Sequence, residues 1–211
     1  MLTKTTTRLF KGIYQYKIVL ICPGAHWFRG SMEEALEQLM KVDLTATKNK
    51  SLSSWRSTFI KTQEQLDYAF KLQSELSKLK DIDIRVETPW ITVYSNDIKQ
   101  VNALAKIDNT NVKYISQPAT NAGLAAGTVV MPKMDYDYRV TLGKTTQDHP
   151  AFIAWAESNK KLKLTKSCIR DLSKTRSWGG THFYVTGDNN LLMVKMHLGG
   201  GISKIERIVK N

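Results

Sequence analysis

Cysteine is scarce in this sequence: its 211 residues include two, Cys22 and Cys168. Neither has a second thiol near it in the chain, which excludes a disulfide framework and a cysteine-based zinc site. We therefore expect a protein of the reducing cytoplasm that holds no metal and no cofactor.

Long apolar runs and the common enzyme motifs are missing as well. No run of about 18 apolar residues occurs, so the sequence predicts no membrane span and no membrane partner. The opening stretch, MLTKTTTRLFKGIYQYK, has no apolar run before a small-residue cleavage site. Walker, HExxH and GxSxG motifs are absent, which removes the usual support for nucleotide hydrolysis, zinc proteolysis and serine hydrolysis.

Acidic residues are few beside basic ones. The chain has 31 Lys and Arg against 19 Asp and Glu, a formal charge of +12 and a pI near 9.6. Such an excess predicts a polyanionic partner, and nucleic acid is the commonest, because each phosphate neutralised by Lys or Arg releases a counterion. An acidic protein surface would select the same excess.

The composition is otherwise that of a globular protein, with 42% hydrophobic and 9% aromatic residues. The length allows one large domain or two small ones. Residues 119–127, ATNAGLAAG, are small and loop-like. They predict a linker between a first half, 1–118, and a second half, 128–211.

The first half has a clear order of elements. Its patterning predicts a strand at 13–22, two helices, a hairpin around Thr88-Pro89, a third helix and a strand at 112–118. A polar loop spans 43–60. Helix starts are marked by candidate capping residues, namely Ser31 with Glu34, then Thr62, then Ser95 or Asn96.

The second half repeats this order. YDYRVTL at 136–142 matches YQYKIVL at 14–20, and we expect a helix at 149–162, a helix after Thr165, a hairpin around 187–189 and a last helix at 199–210. Residues 128–133 would supply the remaining strand. The repeat predicts an α+β fold of two tandem ferredoxin-like (split βαβ) halves, each an antiparallel sheet with helices on one face.

The repeated tyrosine strands offer two alternatives. Alternation places both tyrosines of each strand, at 14 and 16 or 136 and 138, on one face. Facing outward, they would stack on nucleobases. Facing the core, they would leave Lys17 and Arg139 as the exposed cations of the opposite face.

Two stretches combine cations with an aromatic residue. The denser one, residues 157–178, has seven cations against Glu157 and Asp171. We expect this stretch to contact phosphates, because a solvated helix face usually mixes both signs. The candidate contact residues are Lys160, Lys161, Lys163, Lys166, Arg170, Lys174, Arg176 and Trp178 in this stretch, and Lys48, Lys50, Trp55 and Arg56 in the polar loop.

Residues 178–185, WGGTHFYV, add His182 and Tyr184 as candidates. This segment resembles the central strand of RNA-recognition motifs, in which alternating aromatic residues stack on bases. The alternative is structural: the two glycines permit a tight turn into the strand.

The histidines leave a catalytic alternative open. His26 and His149 follow the tyrosine strand in their respective halves, and Arg29 lies beside the first. A histidine and a cation would suffice for metal-independent cleavage of RNA. The His-x-Thr or His-x-Ser motif of two-histidine phosphoesterases is absent, because Trp27 and Phe28 follow His26.

These observations predict a nucleic-acid-binding accessory protein without catalytic residues, acting on single-stranded DNA or RNA in replication, transcription or RNA handling. One alternative is a metal-independent endoribonuclease using His26, Arg29 or His149. Another is a viral or mobile-element factor that docks on an acidic face of a host protein. The sequence leaves the oligomeric state open.

Overall fold

The computed structural model describes residues 2–44, 60–119 and 123–210. The chain divides into two compact units, Met1–Gly123 (unit 1) and Leu124–Asn211 (unit 2), and the division falls inside the expected linker segment. Each unit combines helices with one five-stranded mixed sheet. The protein is therefore an α+β fold with two similar halves.

Unit 1 begins with an edge strand, which four further strands and three helices follow within the described residues. Its elements are β1 (Thr3–Thr6), β2 (Tyr16–Ile21), a 3-10 turn (Ala25–Arg29), α1 (Met32–Met40), α2 (Gln63–Lys78), β3 (Asp83–Glu87), β4 (Trp90–Ser95), α3 (Ile98–Ile107), a 3-10 turn (Asn109–Asn111) and β5 (Val112–Pro118). The hairpin at Thr88-Pro89 and the strand at 112–118 are confirmed.

The sheet of unit 1 has the order β1-β5-β2-β4-β3. Strands β5, β2, β4 and β3 pair antiparallel, whereas β1 runs parallel to β5. The register places Ile18 opposite Val93 and Leu20 opposite Ile91, so these apolar side chains share one face. All four are buried with residues of α1, α2 and α3, so the helices cover that face.

Local signals fixed the helix starts of unit 1. Ser31 and Glu34 form the expected capping box before α1, and the Thr62 hydroxyl accepts a hydrogen bond from the Gln65 N–H at the start of α2. The cap of α3 is Asp97 and neither of the two expected residues, Ser95 and Asn96, which directly precede it. These side chains satisfy backbone donors that a helix start leaves unpaired.

Unit 2 follows the same strand plan and, like the described part of unit 1, has three α-helices. Its elements are β6 (Thr128–Val130), β7 (Tyr138–Leu142), α4 (Pro150–Ser158), β8 (Leu162–Leu164), α5 (Lys166–Leu172), β9 (His182–Val185), α6 (Asp188–Leu198), a 3-10 turn (Gly199–Gly201) and β10 (Ile202–Val209). Its sheet order is β6-β10-β7-β9-β8, which is the order of unit 1 strand for strand.

The expected all-antiparallel, four-stranded sheets are a wrong prediction. Strand β6 pairs parallel to β10, as β1 pairs parallel to β5, so each sheet is mixed and has five strands. Residues 128–130 do form a strand, but it is this additional edge strand. The central antiparallel set of unit 2 is completed by β10 instead.

Two further expectations in the second half are wrong. The expected hairpin at 187–189 is the start of α6, because Leu191, Val194 and Leu198 recur at helical spacing and are buried against the sheet. The expected helix at 199–210 is β10. Its isoleucines stand three apart, as on a helix face, but a bulge between Ile202 and Lys204 shifts the strand register.

The tyrosine repeat is real, but its two tyrosines do not share a face. Strand β2 begins at Tyr16, and Gln15 lies at a bend where its N–H donates to Asn96 Oδ1 at 3.0 Å. Tyr16 packs toward the helices, while the ring of Tyr14 lies 6.1 Å from that of Tyr94 on the opposite face. Unit 2 repeats this, with Tyr138 on the core side and Tyr136 on the other.

Among the described residues, no helix is long and apolar enough to cross a membrane.

Candidate nucleic-acid interface

The face of each sheet that carries no helices, here the helix-free face, holds a row of matched positions. In unit 1, Lys17 of β2 lies opposite Tyr94 on one side and Ser116 on the other. In unit 2, Arg139 of β7 lies opposite Tyr184 and Glu206. The predicted cations Lys17 and Arg139 thus occupy equivalent positions at the centres of their sheets.

Both cations are held by groups of their own unit. Lys17 Nζ lies 4.8 Å from the ring centroid of Phe10 and 5.0 Å from that of Tyr114. Arg139 Nη2 lies 3.2 Å from Nδ1 of His182. Both side chains are half-buried. They stabilise the helix-free faces more than they offer charge to a ligand.

The tyrosines of these rows are not free to stack on bases. Tyr184 is 7% exposed and its ring lies 5.8 Å from that of Tyr136, and Tyr94 is 8% exposed beside Tyr14. A base would have to displace a neighbouring ring to reach either one. His182 is half-buried and its ring contacts Tyr184 edge-on.

The dense cationic stretch lies along one border of unit 2. Strand β8 is an edge strand, and it connects the end of α4 to α5. The seven cations of this border, here the basic edge, are all exposed: Lys160, Lys161, Lys163, Lys166, Arg170, Lys174 and Arg176. The structure therefore holds all seven at the surface.

Local structure positions the basic edge. The Asn159 side chain accepts a hydrogen bond from the Lys161 N–H at 3.0 Å, which turns the chain from α4 into β8. Thr165 caps α5 as expected: its hydroxyl accepts from the Cys168 N–H at 3.2 Å and donates to the His182 carbonyl at 2.8 Å. Lys163 lies opposite Tyr184, at the border of the helix-free face.

Few carboxylates compensate this charge. Residues 124–211 contain 14 Lys and Arg against 7 Asp and Glu. Asp171, the one acidic residue between 160 and 178, is buried and pairs with Lys174 at 3.9 Å. The other six cations of the basic edge form no ion pair within the described parts of the chain.

Trp178 stands at the end of the basic edge and is 82% exposed. Lys144, which follows β7, places its Nζ 5.1 Å from the centroid of the indole ring. Sequence reasoning missed Lys144, because it is 34 residues from Trp178 in the chain. The pairing of Thr145 with Ser177 brings the two segments together.

The three residues of the catalytic alternative belong to different units. His26 and Arg29 lie in the 3-10 turn of unit 1, whereas His149 is the residue before α4 in unit 2. Partial burial, and then the charge of Arg29, lower the pKa of His26 below its usual value. His26 also packs on Trp27 with 4.8 Å between ring centroids.

Four predicted contact residues, Lys48, Lys50, Trp55 and Arg56, lie outside the described residues. Within the described residues, no cluster of three or more His, Cys, Asp or Glu side chains could hold a metal ion.

Comparison of the chain with protein-family models, curated proteins and solved structures finds no match.

Proposed function

We propose that the protein binds nucleic acid through the basic edge of unit 2, single strands in preference to duplex, as an accessory factor in replication, transcription or RNA handling. The observation that carries this proposal is the exposure of all seven cations in a segment whose one carboxylate is buried. Exposed cations without ion pairs are the groups that neutralise phosphates and release counterions.

The strand pairing supports a finer fold proposal. Leaving out the parallel edge strand, unit 1 has the order β5-β2-β4-β3 with antiparallel neighbours, and unit 2 has β10-β7-β9-β8. This strand order supports a split βαβ, ferredoxin-like unit. We propose that each half is such a unit with one added strand.

We also propose that the protein works in the cytoplasm. Cys22 and Cys168 support this assignment because both are free and buried. Burial raises the pKa of each thiol to about 12, so neither is a thiolate at neutral pH.

A salt titration tests the binding proposal directly. Seven phosphate contacts on a single strand predict a slope of about −5 for the logarithm of the binding constant against that of salt concentration. Affinity for an oligonucleotide should then fall about a thousandfold between roughly 50 and 200 mM salt. Single- and double-stranded DNA and RNA of equal length would be compared under the same conditions.

Two double charge-reversal variants, one on the basic edge and one elsewhere as its control, test where binding occurs. Lys163→Glu with Arg170→Glu should weaken binding about 100-fold, since a contact to a charged group contributes about 1.5 kcal/mol or more. The control variant, Lys80→Glu with Lys99→Glu, makes the same change in net charge on exposed residues of unit 1. At a salt concentration that screens the effect of net charge, its affinity should stay within about threefold of the wild-type affinity.

Three outcomes contradict the proposal. Equal losses in the two double variants would mean that net charge, and not the basic edge, drives association. Polyglutamate binding without nucleic-acid binding at low salt would favour docking on an acidic protein. Cleavage that persists in EDTA and disappears in His26→Ala would establish the endoribonuclease alternative.

A further inference from the structure

An ordered loop holds the Trp178 indole in water. The side chain is 82% exposed, although tryptophan gains more than most residues from burial. We propose that Trp178 is a stacking platform for one unpaired nucleobase and that Lys144 binds the adjoining phosphate. This inference rests on the proposed function and specifies how the basic edge distinguishes single strands from duplex.

The loop is fixed on both sides of Trp178. On one side, Ser177 and Thr145 exchange two backbone hydrogen bonds, of 3.0 and 3.1 Å. On the other, the Gly180 N–H donates to the Leu142 carbonyl and the Leu142 N–H donates to the Thr181 carbonyl, both at 2.8 Å. A platform held in place before binding loses little conformational entropy when a ligand arrives.

The two glycines after Trp178 serve different purposes. Gly179 has φ +75°, and a Cβ there would lie 2.3 Å from the Gly143 carbonyl oxygen, so the close approach of the two loops requires glycine. At Gly180, a Cβ would meet nothing within 4 Å. The position is therefore open, and the two residues that follow Trp178 carry no side chain that could obstruct a flat ligand.

The charges around the indole favour a nucleotide over an apolar protein segment. Lys144 Nζ lies 5.1 Å from the ring centroid, and Arg176 is exposed two residues before Trp178. An apolar partner would have to desolvate these cations without pairing them. A nucleotide gives the indole a π-face to stack on and gives the cations a phosphate.

Stacking on an isolated indole requires an accessible base face. In a duplex, the bases are stacked on each other and present only their edges in the grooves. In a single strand, each base can turn out and stack on an aromatic side chain without a sequence requirement. Trp178 should therefore contribute to single-strand affinity and not to duplex affinity.

Substitution of Trp178 in the full chain tests this inference. The probes are a thymidine and a uridine oligonucleotide of about 20 residues, which exceeds one site, and a duplex of equal length. Trp178→Ala should weaken single-strand binding about 5- to 150-fold, leave duplex binding unchanged and leave thermal unfolding unchanged. Trp178→Phe should restore part of the loss, because phenylalanine keeps a π-face.

Tryptophan fluorescence adds a readout that a structural role would not change. Oligonucleotide should quench the wild-type emission, and Trp178→Phe should remove most of that quenching although four tryptophans remain. The matched control is Trp90→Phe, which alters an indole of unit 1 that also has a lysine, Lys113, over its ring at 3.6 Å. This control should keep the quenching.

The outcomes separate this inference from the proposed function. Salt-dependent binding that is equally tight in wild type and Trp178→Ala would overturn the stacking platform and leave the basic edge intact. An equal loss on single strand and duplex would also overturn it. No binding of any oligonucleotide by the wild type would contradict the proposed function itself.

Discussion

Units 1 and 2 use one strand plan but place their lysines differently. Among the described residues of unit 1, four lysines lie over aromatic rings, at 4.1 Å for Lys4 on Tyr114, 4.9 Å for Lys11 on Tyr94, 4.8 Å for Lys17 on Phe10 and 3.6 Å for Lys113 on Trp90. In unit 2, the basic edge extends into water. The difference shows that a shared scaffold can use cations for its own stability in one copy and leave them available in the other.

The charge balance of the two units follows the same division. Residues 1–123 contain 17 Lys and Arg against 12 Asp and Glu, while the shorter segment 124–211 contains 14 against 7. Unit 2 thus has the greater excess in fewer residues. A higher density of one sign raises the local potential and favours a polyanion there.

The cores differ as well. At equivalent central positions, unit 1 has Val93 and unit 2 has Phe183. Phe183 contacts Phe152 of α4 with 5.6 Å between ring centroids, so unit 2 fills its smaller core with aromatic volume. Because its core has fewer and larger side chains, each core position of unit 2 should contribute more to the free energy of unfolding.

The largest expected effect tests this core difference. Phe183→Ala should lower the free energy of unfolding of unit 2 by about 3–5 kcal/mol, and Val93→Ala that of unit 1 by about 2 kcal/mol. Hydrogen exchange measured peptide by peptide would report each unit separately. Equal costs would mean that the two cores are equivalent after all.

A smaller effect concerns two threonine caps. Thr165→Ala should destabilise unit 2 by about 2 kcal/mol, because it removes both the cap of α5 and the hydrogen bond to the His182 carbonyl. Thr62→Ala removes one cap hydrogen bond, of 3.3 Å, and should cost about 1 kcal/mol. Thr165→Ser, which keeps the hydroxyl, should recover most of the loss in the same exchange measurement.

The smallest expected effect distinguishes lysines that stabilise their unit from lysines that are available to a ligand. Lys113→Ala should destabilise unit 1 by up to about 1 kcal/mol through loss of its contact with Trp90. Lys163→Ala should change the stability of unit 2 by less than about 0.5 kcal/mol but lower the salt slope of binding by about one. The reverse pattern would contradict the distinction between stabilising and available cations.

Sequence reasoning succeeded where the signal was local. The capping box at Ser31, the caps at Thr62 and Thr165 and the strand at 112–118 each depend on a few adjacent residues. It was wrong at 199–210, because the bulge after Ile202 puts Ile202 and Ile205 on one face of a strand, while Ile208 packs in a different cluster. It also placed Tyr14 and Tyr16 on one face, because alternation assumes a strand that does not bend at Gln15.

The candidate interface divides in the same way. The cations of residues 160–176 were identifiable because exposed charge clusters are visible in composition alone. The burial of Tyr184 could not be predicted from the sequence, because it depends on Tyr136, which belongs to another segment of the chain. Lys144 was not predicted for the same reason, because Trp178, which it contacts in the structure, lies in a loop far from it in the sequence.

The amino-acid order by itself determined the charge excess, the duplication and most helix starts, since these follow from composition and from contacts between near neighbours. Only the tertiary structure decided which cations contact aromatic rings and which are exposed to solvent. Strand register brings together residues that are far apart in the chain. That pairing gives a basic sequence one half whose lysines contact aromatic rings and one half with an exposed cationic border.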